Sequence, residues 1–242
     1  MKALIDFISR YEPLYAQVAR GYPQERIAEL EATLGRSVPG AYRDFLATVA
    51  ANVGFFTGDA NFDIDEVILT VKELGPIPER FVPIGGDSGS TFYDYYLDLA
   101  HPRGDEDAMV IQLPDFRRPI PMYWSLRDMI FFMAFKEVRM LPLPERTQLL
   151  WLPSDFERTT TPPSLTALGS TMTRLGFDAL TVTRPEAQLW DRSDAAAVVY
   201  QTPFEKSFSL LMAARDRPTL LRVAEAVRDA LPGNPETLEG PA

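Results

Sequence analysis

The sequence contains no cysteine, which excludes a disulfide framework, a thiolate zinc site and a cysteine nucleophile. Its one histidine, His101, excludes a metal site built on a histidine pair. Bases are scarce relative to acids: 24 Lys and Arg stand against 34 Asp and Glu, a net charge of −10. A surface that acidic repels phosphate backbones and anionic lipids, so no nucleic acid and no membrane is expected as a partner. Long apolar runs are missing too. Asp6 and Arg10 interrupt the N-terminal run before it reaches a signal-peptide core. The longest apolar stretch, Met129 to Phe135, closes at Lys136, far short of the roughly 20 residues of a membrane helix. The expectation is a soluble, cytoplasmic protein.

What the chain does contain is apolar bulk. Its 242 residues are 46% hydrophobic and 11% aromatic, enough for a sizeable core in one large domain or two small ones. Charge is concentrated in one segment. From Phe55 to Asp107 there are twelve acids (Asp59, Asp63, Asp65, Glu66, Glu73, Glu79, Asp87, Asp94, Asp98, Asp105, Glu106, Asp107) against three bases (Lys72, Arg80, Arg103). A solvated face and a binding surface both account for such a run.

Hydrophobic periodicity predicts an α+β fold. Ile27, Leu30 and Leu34 recur at helical spacing between Pro23 and Gly35. A second helix follows, with Ser37 as cap, Pro39 near its start and Tyr42, Phe45, Leu46 and Val49 as its apolar stripe. The period then becomes two. Residues 81–84, 91–99, 109–113 and 120–124 read as strands of an antiparallel sheet separated by Gly, Asp and Pro turns. Ser125 and Asp128 have the spacing of a capping box, ahead of a closing helix carrying Leu126, Met129, Ile130 and Met133.

These patterns place a first domain at residues 1–140. A Pro-rich stretch at 141–163, with Leu149 to Leu152 inside it, reads as a connector or a strap across that domain. A smaller α+β unit follows at 164–231. It has a helix over 165–175, strands near 180–183, 189–192, 196–201 and 207–213, and an amphipathic helix over 218–231. Residues 232–242 are expected to form a disordered tail.

Three constellations resemble chemistry and fail on inspection. Gly86-Asp87-Ser88-Gly89-Ser90 is similar to the nucleophile loop of trypsin-like proteases, but the only histidine follows it in sequence, and the residues read as a turn. Asn61, Asp63 and Asp65 are spaced like the first ligands of a calcium loop, yet Glu66 stands where its glycine belongs and Lys72 where its glutamate belongs. His101, before Pro102 and Gly104, reads as a solvated loop residue. No catalytic residue, metal ligand or cofactor is therefore assigned.

The order of the parts resembles a known family. Residues 26–31, then Leu34-Gly35-Arg36-Ser37-Val38-Pro39, then residues 42–46 look like the opening helix pair of the SUKH superfamily. Phe81-Val82-Pro83-Ile84-Gly85 with Gly86-Asp87 and the run Tyr93 to Leu99 resemble its strand, Gly/Asp turn and Tyr-rich strand. Trp124-Ser125-Leu126 resembles the start of its last helix. The resemblance spans residues 20–137; Ser88 to Thr91 lengthen the turn, and the unit after Ser164 lies outside the pattern. That superfamily contains fungal cell-wall-assembly regulators and bacterial immunity proteins. The resemblance thus implies a non-enzymatic protein that binds a cognate protein toxin, a nuclease or another enzyme with a basic active-site surface.

Alternation along residues 91–99 puts Tyr93, Tyr95, Leu97 and Leu99 on a core side and Phe92, Asp94, Tyr96 and Asp98 on an outer side. Aromatic rings among carboxylates suit a basic partner. The candidate partner-binding residues are Asp87, Phe92, Asp94, Tyr96, Asp98, Asp105, Glu106 and Asp107. An ordinary exposed sheet face has the same composition. Two other functions fit: a regulatory scaffold with several weak partners, and a carboxylate enzyme holding magnesium on Asp63, Asp65 and Glu66.

Overall fold

The structure, a computed structural model, describes residues 1–52, 60–87, 93–104, 106–114, 116–152, 165–204, 207–231, 233 and 235–238. The chain divides into two compact units, Met1–Ile130 and Phe131–Ala242. Each is α+β with its own antiparallel sheet. No helix among the described residues is long and apolar enough to cross a membrane.

The first unit opens with α1 (Lys2–Ile8) and α2 (Tyr15–Val18), then α3 (Gln24–Leu34) and α4 (Gly40–Thr48). Gly35 ends α3 at φ 71°, the left-handed conformation that glycine adopts without a Cβ clash. Pro39, rather than Ser37, stands at the N-cap of α4, whose Tyr42, Phe45 and Leu46 are buried. After β1 (Ala60–Asn61) comes α5 (Ile64–Leu74), which packs on α3 and on the sheet. The remaining strands are β2 (Phe81–Asp87), β3 (Tyr95–Pro102), β4 (Ala108–Gln112) and β5 (Ile120–Tyr123), giving the order β1-β2-β3-β4-β5 with every pair antiparallel. Helix α6 (Leu126–Phe135) begins at the expected capping box: the Asp128 N–H donates to Ser125 Oγ at 3.0 Å, and the Ser125 hydroxyl donates to Asp128 Oδ2 at 2.8 Å.

Register shows why this sheet has no free face at its centre. Phe81 lies opposite Asp98 and Asp98 opposite Met109, while Tyr96 lies opposite Ile111. Phe81, Tyr96, Met109 and Ile111 form a buried apolar cluster, joined by Ile77 and Leu113. Phe116 stacks on Phe81 and meets Tyr96 edge-on. The opposite face carries the equally buried Val82, Ile84, Leu97 and Val110. The strand is therefore apolar on both sides, as a central strand between two covered faces must be.

The second unit continues from α6 through a π-helical turn, Lys136–Met140. Its elements are β6 (Glu145–Trp151), α7 (Leu165–Arg174), β7 (Asp178–Leu180), β8 (Ala187–Arg192), β9 (Ala195–Gln201), β10 (Phe208–Ala214), α8 (Arg217–Ala230) and β11 (Glu236–Leu238). The sheet order is β11-β6-β10-β9-β8-β7. Asp216 caps α8, accepting from the Thr219 N–H at 2.8 Å. Its Leu220, Val223, Ala224 and Val227 join Leu168 and Met172 of α7, and Trp151 stacked on Phe208, in one core.

Two expected segment roles change. The stretch expected as a connector or strap supplies β6, an internal strand of the second sheet, because Leu149 and Trp151 bury their side chains in that unit's core. Within the expected tail, Glu236–Leu238 pair with β6 as an edge strand.

Candidate functional site

The triplet that imitates a calcium loop builds the start of α5. Asn61 Oδ1 accepts the Asp63 N–H at 3.0 Å, and Asp63 Oδ1 accepts the Asp65 N–H at 2.8 Å. This is a local side-chain cap of the kind Asp and Asn favour. Asp65 is ion-paired with Arg26 on α3. Asp63 and Asp65 are thus engaged in shaping the helix, and Glu66 projects from its first turn, exposed. Among the described residues no group of three or more acids or histidines is placed to hold a metal ion.

The outer-strand expectation holds in parity and fails in exposure. Tyr96 and Asp98 share a face, but Tyr96 is 2% exposed and Asp98 0%, because the apolar cluster covers that face. Burial pushes the Tyr96 phenol up to about 12, with the nearby Asp94 charge adding to the effect. Tyr93, expected in the core, precedes β3 and is 39% exposed. Strand β3 starts at Tyr95 rather than at Thr91, and Phe92 and Asp105 lie outside the described residues. Asp87 ends β2, opposite Ala60.

Asp98 is a structural anchor. The Arg80 guanidinium donates to it twice, from Nε and Nη2 at 2.6 Å each, and the Ala100 N–H donates at 3.1 Å. His101 Nδ1 lies 2.8 Å from the other oxygen, so this histidine sits on β3 against a carboxylate and not in a solvated loop. Burial alone would raise the Asp98 carboxyl, but the bonds from Arg80, His101 and Ala100 outweigh it and hold it below its ordinary range.

Glu106 and Asp107 also make contacts within the domain, Glu106 while staying exposed. Glu106, at φ 68°, presents its carbonyl to the Ala41 N–H at 3.0 Å, and its carboxylate packs over Gly40, where an added Cβ would collide with it. Asp107 accepts the Leu126 N–H at 3.0 Å and the Arg127 N–H at 3.2 Å. One short connection therefore satisfies backbone donors at the starts of α4 and α6, which those helices cannot satisfy themselves.

What remains is a small cleft between α5 and the edge of the sheet. Glu66, Val67 and Thr70 line one side, Asn61 the top, and Pro83, Gly85, Gly86 and Asp94 the other, around a cavity of about 90 Å³. Gly85 is required there, since a Cβ would stand 2.3 Å from the Asn61 carbonyl oxygen. Asp94 is half-buried, and that burial raises its carboxyl above the ordinary range. Neither Glu66 nor Asp94 has an ion-pair partner among the described residues. Along the exposed face of α5 follow Leu69, 48% exposed, and Glu73.

Helix α5, like α1 and α2, is not among the helices expected from the sequence. Its signals were present: Asp63 as cap, Ile64, Val67, Ile68 and Val71 at helical spacing, and Gly75 as stop. They overlap the calcium-like triplet, whose Asp63 and Asp65 belong to the cap and first turn of the helix.

Residues 21–131 match the model of the SMI1 / KNR4 family (SUKH-1). The N-terminal unit carries a SUKH domain. Its match takes in α3 to β5, hence the whole cleft, the Arg80–Asp98 anchor and the Glu106–Asp107 connection. Toxin immunity proteins occur among SUKH domain proteins. No curated protein and no solved structure matches the chain.

Proposed function

We propose that this chain is a non-enzymatic binding protein that neutralises a cognate protein toxin by covering its active surface, and that the SUKH domain meets the toxin through the outer face of α5 and the adjoining cleft. The observation that carries this reading is the pair of acids at the cleft, Glu66 and a half-buried Asp94, that have no ion-pair partner among the described residues. Folding has already engaged Asp63, Asp65, Asp98 and Asp107 in caps and ion pairs. Asp94 differs from them: it is partly removed from water and no cation among the described residues pairs with it.

A lysine or arginine tip from a partner fits a cavity of this size and would complete that pair. Exposed ion pairs contribute about 0.2–1 kcal/mol. Truncating one member of a desolvated interfacial pair costs about 2–5 kcal/mol, so a cleft acid outweighs a rim acid. Leu69 adds an apolar contact beside it. The remaining negative field of the domain would speed encounter with a basic surface.

The test begins with the gene immediately upstream, which is expected to encode a protein with a toxin-like C-terminus, and continues with co-expression of that protein and this chain in a sensitive host. The parent chain should restore growth. The Glu66→Lys/Asp94→Lys double variant should fail to protect while keeping the parental circular dichroism spectrum. Protection by the double variant equal to that of the parent would reject the cleft as the contact, and no protection by the parent would reject the immunity role itself.

A further inference from the structure

The second unit holds a cavity outside the segment that matches the SUKH family. It has a volume of about 380 Å³, within the range of small-molecule sites, and lies between α7, β7 and β8. Small residues make the space. Trp190 on β8 stands opposite Ala179 of β7 and Ala197 of β9, so neither neighbouring strand sets a large side chain beside its indole. Gly169 of α7 faces the same ring: an added Cβ would stand 3.5 Å from Trp190 Cζ2 and 3.9 Å from Gln188 Oε1, ordinary contact distances. Its backbone is not left-handed, so alanine would fit there and would favour the helix; the glycine leaves the space open.

Two polar atoms beside this mainly apolar space lack partners. Gln188 and Trp190 are two residues apart on β8, so their side chains share one face. The Gln188 amide donates from Nε2 to the Pro185 carbonyl at 2.9 Å, which fixes its orientation and leaves Oε1 buried without a donor among the described residues. Trp190 is 5% exposed, and its Nε1–H is likewise buried without an acceptor among the described residues. Buried donors and acceptors are nearly always paired, because an unmade bond forfeits the hydration given up on burial. An acceptor and a donor lining one cavity therefore ask for a ligand that supplies the opposite pair. No acid is among the described lining residues and Arg184 already has an interaction of its own, so nothing in the wall calls for a charged ligand.

We propose that this cavity binds a small, uncharged, planar molecule bearing a lactam or other cis amide. The ligand carbonyl accepts from Trp190 Nε1, the ligand N–H donates to Gln188 Oε1, and its ring fills the space that Gly169 leaves open. A cis amide carries its donor and acceptor side by side on one edge, which suits two partners on one face of a strand; a trans amide points them in opposite directions. The site belongs to the second unit and is independent of the toxin contact proposed for the SUKH domain.

The experiment follows the indole N–H signals of the full, isotope-labelled chain by heteronuclear NMR. The sequence has three tryptophans, and Trp190→Phe identifies the signal of Trp190 by its loss. The probe is carbostyril, a bicyclic lactam, titrated beside N-methylcarbostyril, which has no N–H, and naphthalene, which has neither polar group. Saturable displacement of the Trp190 signal by carbostyril is expected, with N-methylcarbostyril about three- to tenfold weaker. Gln188→Leu should weaken carbostyril by the same factor and leave N-methylcarbostyril unchanged, a difference that a general loosening of the fold would not produce. Gly169→Ala, whose methyl group touches both side chains, should raise the melting temperature and weaken both lactams. Absence of saturable displacement by carbostyril overturns the proposal, as does unchanged carbostyril affinity in Gly169→Ala. Naphthalene binding as tightly as carbostyril overturns it also, since the polar pair would then take no part in recognition.

Discussion

Cutting the Arg80–Asp98 pair from its two ends should have unequal costs. The Asp98 side chain is 1% exposed and the Arg80 side chain 42%. Arg80→Ala strands a carboxylate in the interior with only the Ala100 N–H and His101 beside it, and removing one partner of a buried pair costs about 3–5 kcal/mol. Asp98→Asn leaves the guanidinium, which reaches water, so the loss is that of charge-assisted bonds, about 1.5–3 kcal/mol. Acid separates the cases further. Asp98 has its folded pKa below its unfolded value, so its contribution is complete above the unfolded carboxylate range and disappears as pH falls through the folded value. In Arg80→Ala the effect of burial prevails, the folded pKa rises, and protonation relieves the stranded charge. The gap between parent and Arg80→Ala should therefore narrow between neutral pH and about pH 4. Pulse-labelled hydrogen exchange of peptides from residues 81–112 across a urea titration reads the first unit alone. Equal costs at neutral pH for the two variants, or a gap that does not change on acidification, would refute the reasoning.

Asp107→Ala removes the acceptor of two N–H groups at the start of α6 and should cost about 0.5–2 kcal/mol, read as a lowered urea midpoint with faster exchange at Leu126 and Arg127. Asp94→Asn should do the reverse at neutral pH: burial raises the folded pKa of Asp94, so its ionised form opposes folding above that value and ceases to do so at lower pH. The melting temperature of Asp94→Asn should exceed the parent's at neutral pH and lose that advantage in acid; a value at or below the parent's at neutral pH would contradict the description of the cleft.

The fold was largely legible because its signals are local. Ser125 and Asp128, Asp216 and Pro218, and Gly35 mark helix ends by chemistry confined to one turn. Strands β8 to β10 and helix α8 begin and end within a residue or two of their periodic patterns. The candidate site was less legible, because exposure is a property of what packs over a strand. Alternation correctly grouped Tyr96 with Asp98, but no local pattern announces that Phe116, Phe81 and Met109 will cover them. Likewise an acid reads the same whether it faces solvent or, like Asp107, caps a helix far along the chain. The Leu149–Trp151 run was recognised as needing cover; that its cover is a second sheet follows from strands still to come in the sequence.

The connection through Glu106 and Asp107 bears on the order of folding. Helix α4 is short and local, yet the amide of Ala41 finds its acceptor only when the link between β3 and β4 has closed, and the same closure supplies the acceptor for Leu126 and Arg127. Chain entropy must be lost over a long loop before either helix start gains its bond. Both ends are therefore expected to complete late and together, and to be released by one opening of that link. The amides of Ala41, Leu126 and Arg127 are thus expected to exchange together, at a rate set by the β3–β4 hairpin and not by the fraying of the helices they begin, which native-state hydrogen exchange would read.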